Sequence, residues 1–328
     1  MKNKAFYIGN IEIKNRVILA PMAGITSFSY RQFMSPFGCG LVYTEMISDC
    51  GLLYGNEETK RLSYTDNTEH PLALQLFGGT KENILKSIDV LLERKIPFDI
   101  LDLNLACPVP KVTKTGAGSS WLQDQDALYD MMKAVCEKVS CPVSAKIRLG
   151  YNDVNVEDTV QTLEKAGVKF IAIHARTKKE LYGGKPDFSK LSNVRNLIKI
   201  PFAVSGNIYT VEDALEALRI TKADAIMVAR GGVGNPNLVK NINLALNGED
   251  YSEVLDFEEQ KKYLLDFSRM LIDEKGEKRA IGILRGIAPK FFLHIPLTKP
   301  LRGSLSQETN SLEDIEKVLN DFNINQEL

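Results

Sequence analysis

Eight short apolar runs recur along about 230 residues of this chain, and a helical pattern follows most of them. They fall at 17–20, 41–44, 71–77, 98–105, 142–147, 169–174, 201–205 and 223–229. Helical spacing of apolar residues fills the gaps, as at 124–139, 156–166 and 211–218. Strands that alternate with helices build parallel βαβ units, because a parallel neighbour needs a long crossover. Eight such units predict an α/β fold, a closed (β/α)8 TIM barrel rather than an open doubly wound sheet. Ahead of the first run, 6–8 and 11–13 flank a Gly9-Asn10 turn and read as a small hairpin that caps the barrel's bottom. Beyond residue 244 the pattern turns helical with no strand-like run. The expected division is therefore a barrel with its hairpin at 1–244 and an all-helical domain at 245–328.

Composition narrows the function classes. The 328 residues carry a net charge of −1, with 44% hydrophobic and 25% charged residues, which is the profile of an ordinary globular protein. Any affinity for nucleic acid has to come from a local patch. No run of 18 apolar residues suggests a membrane span, and the first residues lack an apolar core of signal-peptide length. The five cysteines contain no Cys-x-x-Cys pair, so neither a zinc site nor a disulfide framework is expected, and a reducing cytoplasm is.

In such a barrel, chemistry collects at the C-terminal ends of the strands. Here those ends hold Pro21, Met22 and Ala23, then Glu45, Gln75, Asn104 with Cys107, Lys146 with Arg148, and His174 with Arg176. The last two give Ser205, Gly206 and Asn207, and Ala229 and Arg230. Any one of these is more often structural than functional. Together they suit a polar, planar, anionic ligand. The glycine-bearing stretches 205–208 and 229–236 follow the last two strands, where barrels commonly bind phosphate, and Arg230 adds a bidentate donor. The stretch GAGSSW (116–121) lacks the third glycine of a dinucleotide fingerprint and is discounted. Lys146 is either a lysine snorkelling from the barrel mouth or a cation beside an electron-rich isoalloxazine edge. His174 is either a satisfied core histidine or a donor to that edge.

Cys107 has three readings: a small buried hydrophobe, a nucleophile, or a general acid whose thiol stays protonated at neutral pH. Asn104 offers donor and acceptors to an amide-like edge such as uracil, and Lys111 and Lys114 suit a phosphate backbone. From Lys278 to Arg302 there are six Lys or Arg, among them Arg279, Arg285, Lys290 and Lys299, and no Asp or Glu. Phe291 and Phe292 lie within that run. A bland helix face mixes signs, so the run reads as a footprint for RNA.

The stretch LNLACPVPKVTKTGAGSSWLQD resembles the signature of the tRNA-dihydrouridine synthases. So do APMAG (20–24), LALQLFG (72–78), AKIRLG (145–150), IHARTKKELYGGKPDF (173–188), VSGNI (204–208) and VARGGVGNP (228–236), in collinear order. The segment RAIGILRGIAPKFFLHIPLTKPLRG resembles that family's helical RNA-binding tail. The resemblance implies FMN-dependent, NADPH-driven reduction of the uracil C5=C6 bond in tRNA. It implies that Pro21, Met22 and Ala23 line the flavin, that Gln75 reaches its ring, and that Lys146 and His174 hold its polar edge. Gly206, Asn207, Ala229 and Arg230 would hold the ribityl phosphate, and Ser205 would be among the cofactor-binding residues. Asn104 would orient the uracil, and Cys107 would give a proton to C5 after hydride reaches C6. Lys111, Lys114, Arg148, Arg176, Arg279, Arg285, Lys290, Lys299 and Arg302 would face tRNA. Two positions depart from the family's pattern: Ala106 and Ala229 stand where glycine is usual. The rival readings are a small-molecule flavin oxidoreductase similar to the dihydroorotate dehydrogenases, and a non-catalytic RNA-binding barrel. The basic tail disfavours the first. Cys107 and Lys146 disfavour the second.

Overall fold

The computed structural model describes residues 3–322. Its strands are β1 (Phe6–Ile8), β2 (Ile11–Ile13), β3 (Val17–Leu19), β4 (Val42–Tyr43), β5 (Ile47–Ser48), β6 (Leu72–Phe77), β7 (Ile100–Leu105), β8 (Val143–Arg148), β9 (Phe170–His174), β10 (Phe202–Ser205) and β11 (Ala225–Val228). β3 to β11 form one parallel sheet in the order β3-β11-β10-β9-β8-β7-β6-β4, with β5 also on β6. A parallel bridge from Ile18 to Leu41 closes it, with Leu19 N–H donating to Leu41 O at 2.9 Å. The eight expected strands are the eight barrel positions. The second is broken into β4 and β5, and the short β5 piece has no apolar run of its own in the sequence.

Period-two alternation sorts the side chains. Leu101, Leu103 and Leu105 of β7 point outward to the helix layer with Leu74, Leu76, Ile171 and Ile173. Tyr43, Ala73, Ile100, Phe170, Ala172 and Met227 fill the lower barrel interior. Ile8 and Ile13 of the β1–β2 hairpin are fully buried in that same interior cluster, and Phe6 stacks on Phe170 at 6.1 Å. The hairpin thus plugs the bottom of the barrel, as its sequence suggests, and the mouth remains for ligands.

Helices Phe257–Lys275, Glu277–Ile287, Lys299–Gln307 and Leu312–Asp321 make up the C-terminal region. The boundary expected at residue 244 falls inside the helix Asn237–Asn247, and residues 1, 2 and 323–328 of the two expected units lie outside the described residues. The helix Phe257–Lys275 packs on the first helix after β3, Phe28–Met34. Phe267 meets Tyr30 at 5.7 Å and Phe33 at 5.4 Å. Phe291 and Phe292 are fully buried in this aromatic seam, so the two rings of the basic run belong to the core and not to its surface. Among the described residues no helix is long and apolar enough to cross a membrane.

Candidate active site

The strand ends converge on a cavity of about 370 Å³ at the mouth of the barrel. Pro21, Met22, Ala23, Gln75, Asn104, Cys107, Lys146, Arg148, His174, Ser205, Gly206, Asn207, Ala229 and Arg230 all line it. Register explains the convergence. Gln75 sits opposite Asp102, Asn104 opposite Lys146, Arg148 opposite His174, and His174 opposite Ser205. Alternate residues of neighbouring strands therefore face the same interior.

Lys146 is 8% exposed and has no hydrogen bond or ion pair among the described residues. Burial lowers its pKa to about 8, helped by the Arg148 charge and opposed by Asp102 and Cys107. A desolvated ammonium aimed into a cavity without a partner calls for an electron-rich ligand. His174 is held differently. Arg176 Nη1 lies 3.1 Å from His174 Nε2, and a guanidinium only donates, so Nε2 accepts and the proton sits on Nδ1. Burial first, and then the Lys146, Arg148, Arg176 and Arg230 charges, hold this imidazole well below its ordinary pKa. It is a neutral donor.

The far wall is a backbone cradle. Gly206 has φ +134° and Asn207 φ +48°. A Cβ on Gly231 would meet Ile208 O at 2.0 Å, so only glycine lets these two loops approach. Arg176 donates to Asn207 Oδ1 at 3.1 Å, and Arg230 reaches the same oxygen at 3.4 Å. Tyr182, absent from the sequence reading, stacks under both Arg148 and Arg230, at 5.3 and 5.2 Å.

Cys107 is pinned from both sides. Its N–H donates to Asn104 Oδ1 at 2.9 Å, and its carbonyl accepts from Ser119 N–H at 3.1 Å and Ser119 Oγ at 3.0 Å. The GAGSSW stretch is thus not a nucleotide fingerprint but the clamp on the cysteine loop. Gly118, at φ +60°, lets it close, since a Cβ there would meet Cys107 O at 2.8 Å. Burial raises the thiol pKa, against the pull of Val109 N–H and the Arg148 and Lys146 charges. The thiol is protonated at neutral pH.

Other sequence-selected cations lie apart from the cavity or are engaged elsewhere. Arg148 donates to the carbonyls of Ala106 (2.7 Å), Thr177 (2.9 Å) and Leu181 (2.7 Å). Arg176 holds Gly183 O at 2.9 Å and Gly184 O at 2.7 Å. Lys111 and Lys114 are exposed on and after the short helix Pro110–Thr113. In the tail, Arg279 pairs with Glu58 and Arg285 with Thr309 O and Asn310. Lys290 and Arg302 are half-buried and Lys299 is exposed. Glu45, which accepts from Gly24 N–H, fixes the loop that carries Met22 and Ala23.

A buried unpartnered ammonium, a neutral imidazole donor, a glycine-lined cradle with two guanidinium groups and a protonated thiol fit a bound flavin. The fold and this site define a flavin-dependent oxidoreductase on a TIM barrel. The comparisons narrow the class. Residues 18–327 match the family described as Dihydrouridine synthase (Dus), and the chain belongs to that family. It is 30% identical over 312 residues to a probable tRNA-dihydrouridine synthase of Aquifex aeolicus, covering 93% of this chain and 95% of that one. It is 28% identical over 315 residues to one of Rickettsia bellii, covering 95% and 96%. Among solved structures, histamine dehydrogenase from Rhizobium sp. 4-9 superposes with a TM-score of 0.55 at 14% identity, over 82% of this chain and 50% of that one. An old yellow enzyme homologue from Zymomonas mobilis gives 0.50 at 13% identity, over 77% and 94%. These structures share the fold.

Proposed function

We propose that this protein reduces specific uridines in tRNA to 5,6-dihydrouridine, with FMN as its flavin and NADPH as the reductant. The single observation that carries the reading is the placement of protonated Cys107 beside Asn104 and partnerless Lys146 in one cavity, in a chain of the dihydrouridine synthase family. When bound, the flavin supplies the two electrons of the reduction. Lys146 and His174 present N–H donors to its polar edge. Gly206, Asn207 and Arg230 line the part of the cavity assigned to a terminal phosphate, the group that FMN carries. Asn104 orients the base and Cys107 donates the proton. Acting on an internal uridine requires flipping it out of the RNA stack into this cavity. A tRNA substrate supports a cytoplasmic location.

The C-terminal helices between Phe257 and Asp321 are assigned to tRNA, through Arg279, Arg285, Lys290, Lys299 and Arg302. Lys299 is the cleanest probe, because it is exposed and has no partner among the described residues. Lys299→Glu is expected to weaken tRNA binding a few-fold at low salt and to flatten the salt dependence by about one counterion. Flavin reduction by NADPH stays unchanged. Filter binding between 50 and 200 mM salt checks this, and identical curves for the two proteins remove Lys299 from the footprint.

The function itself is tested by mass spectrometry of tRNA incubated with the protein, FMN and NADPH. A gain of two mass units at defined uridines establishes the reaction and names the positions. A yellow protein that oxidises NADPH with a small carbonyl or alkene substrate but leaves tRNA unchanged would instead support the small-molecule reductase.

A further inference from the structure

Asp102 is fully buried on the interior face of β7, one residue pair below Asn104, and does not line the cavity. Its Oδ1 accepts from the Ser144 hydroxyl at 2.5 Å and its Oδ2 from Gln75 Nε2 at 2.7 Å. Gln75 Oε1 in turn accepts from Asn104 Nδ2 at 2.8 Å. Asn104 Oδ1 accepts from the backbone N–H of Ala106 at 3.1 Å and of Cys107 at 2.9 Å. Four links join a buried carboxylate to the cysteine loop.

The chain can run in one direction only. An ionised carboxylate accepts and never donates, whereas a backbone N–H donates and never accepts. Gln75 must therefore turn its NH2 to Asp102 and its oxygen to Asn104. Asn104 must turn its NH2 to Gln75 and its oxygen to the Cys107 loop. Each amide has one N–H left over. That of Asn104 meets only Met46 Sδ at 3.7 Å, a weak acceptor that a ligand oxygen easily displaces. The remaining charged and titratable neighbours agree with an ionised Asp102: Lys146 approaches from β8, and Tyr43 faces it from β4. Burial raises the carboxyl to about pH 6, held there against the Ser144 and Gln75 hydrogen bonds and the Lys146 charge, so at neutral pH it is largely charged.

We propose that Asp102 is a positioning residue that anchors the hydrogen-bond polarity begun at the Ala106 and Cys107 N–H groups, holding Gln75 and Asn104 as N–H donors toward the cavity. Both amides then favour ligands with carbonyl-type acceptors at those points, on the flavin and on the base, and Asn104, whose oxygen already accepts two N–H groups, offers no acceptor. This inference rests on the functional reading above. It also changes one element of the sequence reading: Asn104, expected to offer donor and acceptor to uracil, has its oxygen engaged by the Cys107 loop and offers a donor alone.

The test compares two variants of the holoenzyme, with the rate of dihydrouridine formation and the exchange of the Gln75 side-chain amide protons, followed by NMR, as readouts. Asp102→Asn keeps one acceptor oxygen for Gln75, with the Ser144 hydroxyl turning to accept from the new NH2. It is expected to stay within about fivefold of the wild-type kcat and to keep the Gln75 amide protected. Asp102→Leu has the same branching but no acceptor. It is expected to lose at least fiftyfold in kcat, with KM for tRNA little changed, and to lose protection at Gln75. Equal large losses in both variants would overturn the proposal and assign Asp102 a purely electrostatic role toward Lys146. Full activity in Asp102→Leu would overturn it as well. Where Asp102→Leu fails to fold, Asp102→Asn decides: retained rate and protection support the polarity role, and a fiftyfold loss refutes it. A wild-type protein inert on tRNA would defeat the functional reading, while the Gln75 exchange comparison would still decide the role of Asp102.

Discussion

Replacing Cys107 by alanine is expected to leave a yellow protein that forms dihydrouridine about 100- to 10,000-fold more slowly, the range lost with a general acid. Saturating a carbon–carbon double bond adds two electrons and two hydrogens, and one hydrogen must arrive as a proton at the face of the base. Of the groups lining the cavity, Lys146 and His174 are assigned to the flavin edge and Asn104 offers only an amide. Tyr182 and Tyr209 also line the cavity, and the proposed function assigns the proton to the Cys107 thiol. Its loop is held by Asn104 on one side and Ser119 on the other, so the sulfur is placed before substrate arrives. The sign of the pH dependence follows. A general acid has to be protonated, and burial raises the Cys107 pKa, so wild-type turnover is full at neutral pH and falls as pH rises through that raised value. The alanine variant lacks this descending limb. Flavin absorbance and single-turnover rates between pH 6.5 and 10 check both parts. A variant with unimpaired turnover would remove the thiol from the chemistry.

Much of this was legible because a barrel has a simple grammar. Eight apolar runs gave the strand count, and of the sixteen residues the strand-end rule selected, the structure gathers fourteen round one cavity, Glu45 and Arg176 lying outside its lining. The sequence resolved less where function depends on what lies beneath or across. Asp102 stands two residues before Asn104 in ILDLNL, on the same interior face. A charged residue inside an otherwise apolar strand was the available signal, and strand-end reasoning passes over it because it lies a layer too deep. Ser119 and Gly118 belong to a loop whose partner is twelve residues away through a backbone carbonyl, and no side-chain pattern announces that contact. Tyr182 reaches the cavity from a long loop after β9, beyond any periodicity. In the tail the opposite error occurs. Phe291 and Phe292 sit in a basic run and read as RNA-facing, but their rings complete the seam with Phe33, Phe257 and Phe267, because apolar burial outweighs the charge of their neighbours in sequence.

Lys146→Met is expected to slow dihydrouridine formation by about 100- to 1,000-fold, the effect of removing one preorganised charge from a buried site. The same change is expected to stabilise the flavin-free protein near neutral pH. In the folded chain Lys146 titrates at about 8, in the unfolded chain near its ordinary 10.5. Between those values the unfolded state binds the extra proton, so wild-type stability rises with pH across that window. Below pH 8 the buried ammonium costs the fold roughly 3 kcal/mol, which methionine, similar in length and uncharged, does not. Urea unfolding of both flavin-free proteins at pH 7.5 and 9.5 reads this charge together with the shifts that it imposes on Asp102, Cys107 and His174. The advantage of the variant shrinks as pH rises. Parallel curves would mean that Lys146 is solvated in the absence of flavin and carries no such cost. Flavin binding has the complementary sign: an electron-rich edge beside the ammonium draws its pKa back up, so wild-type affinity for the flavin weakens above pH 8 while that of the methionine variant stays level. The residue whose buried charge costs the flavin-free fold stability is thus the one that makes the site selective for an electron-rich ring.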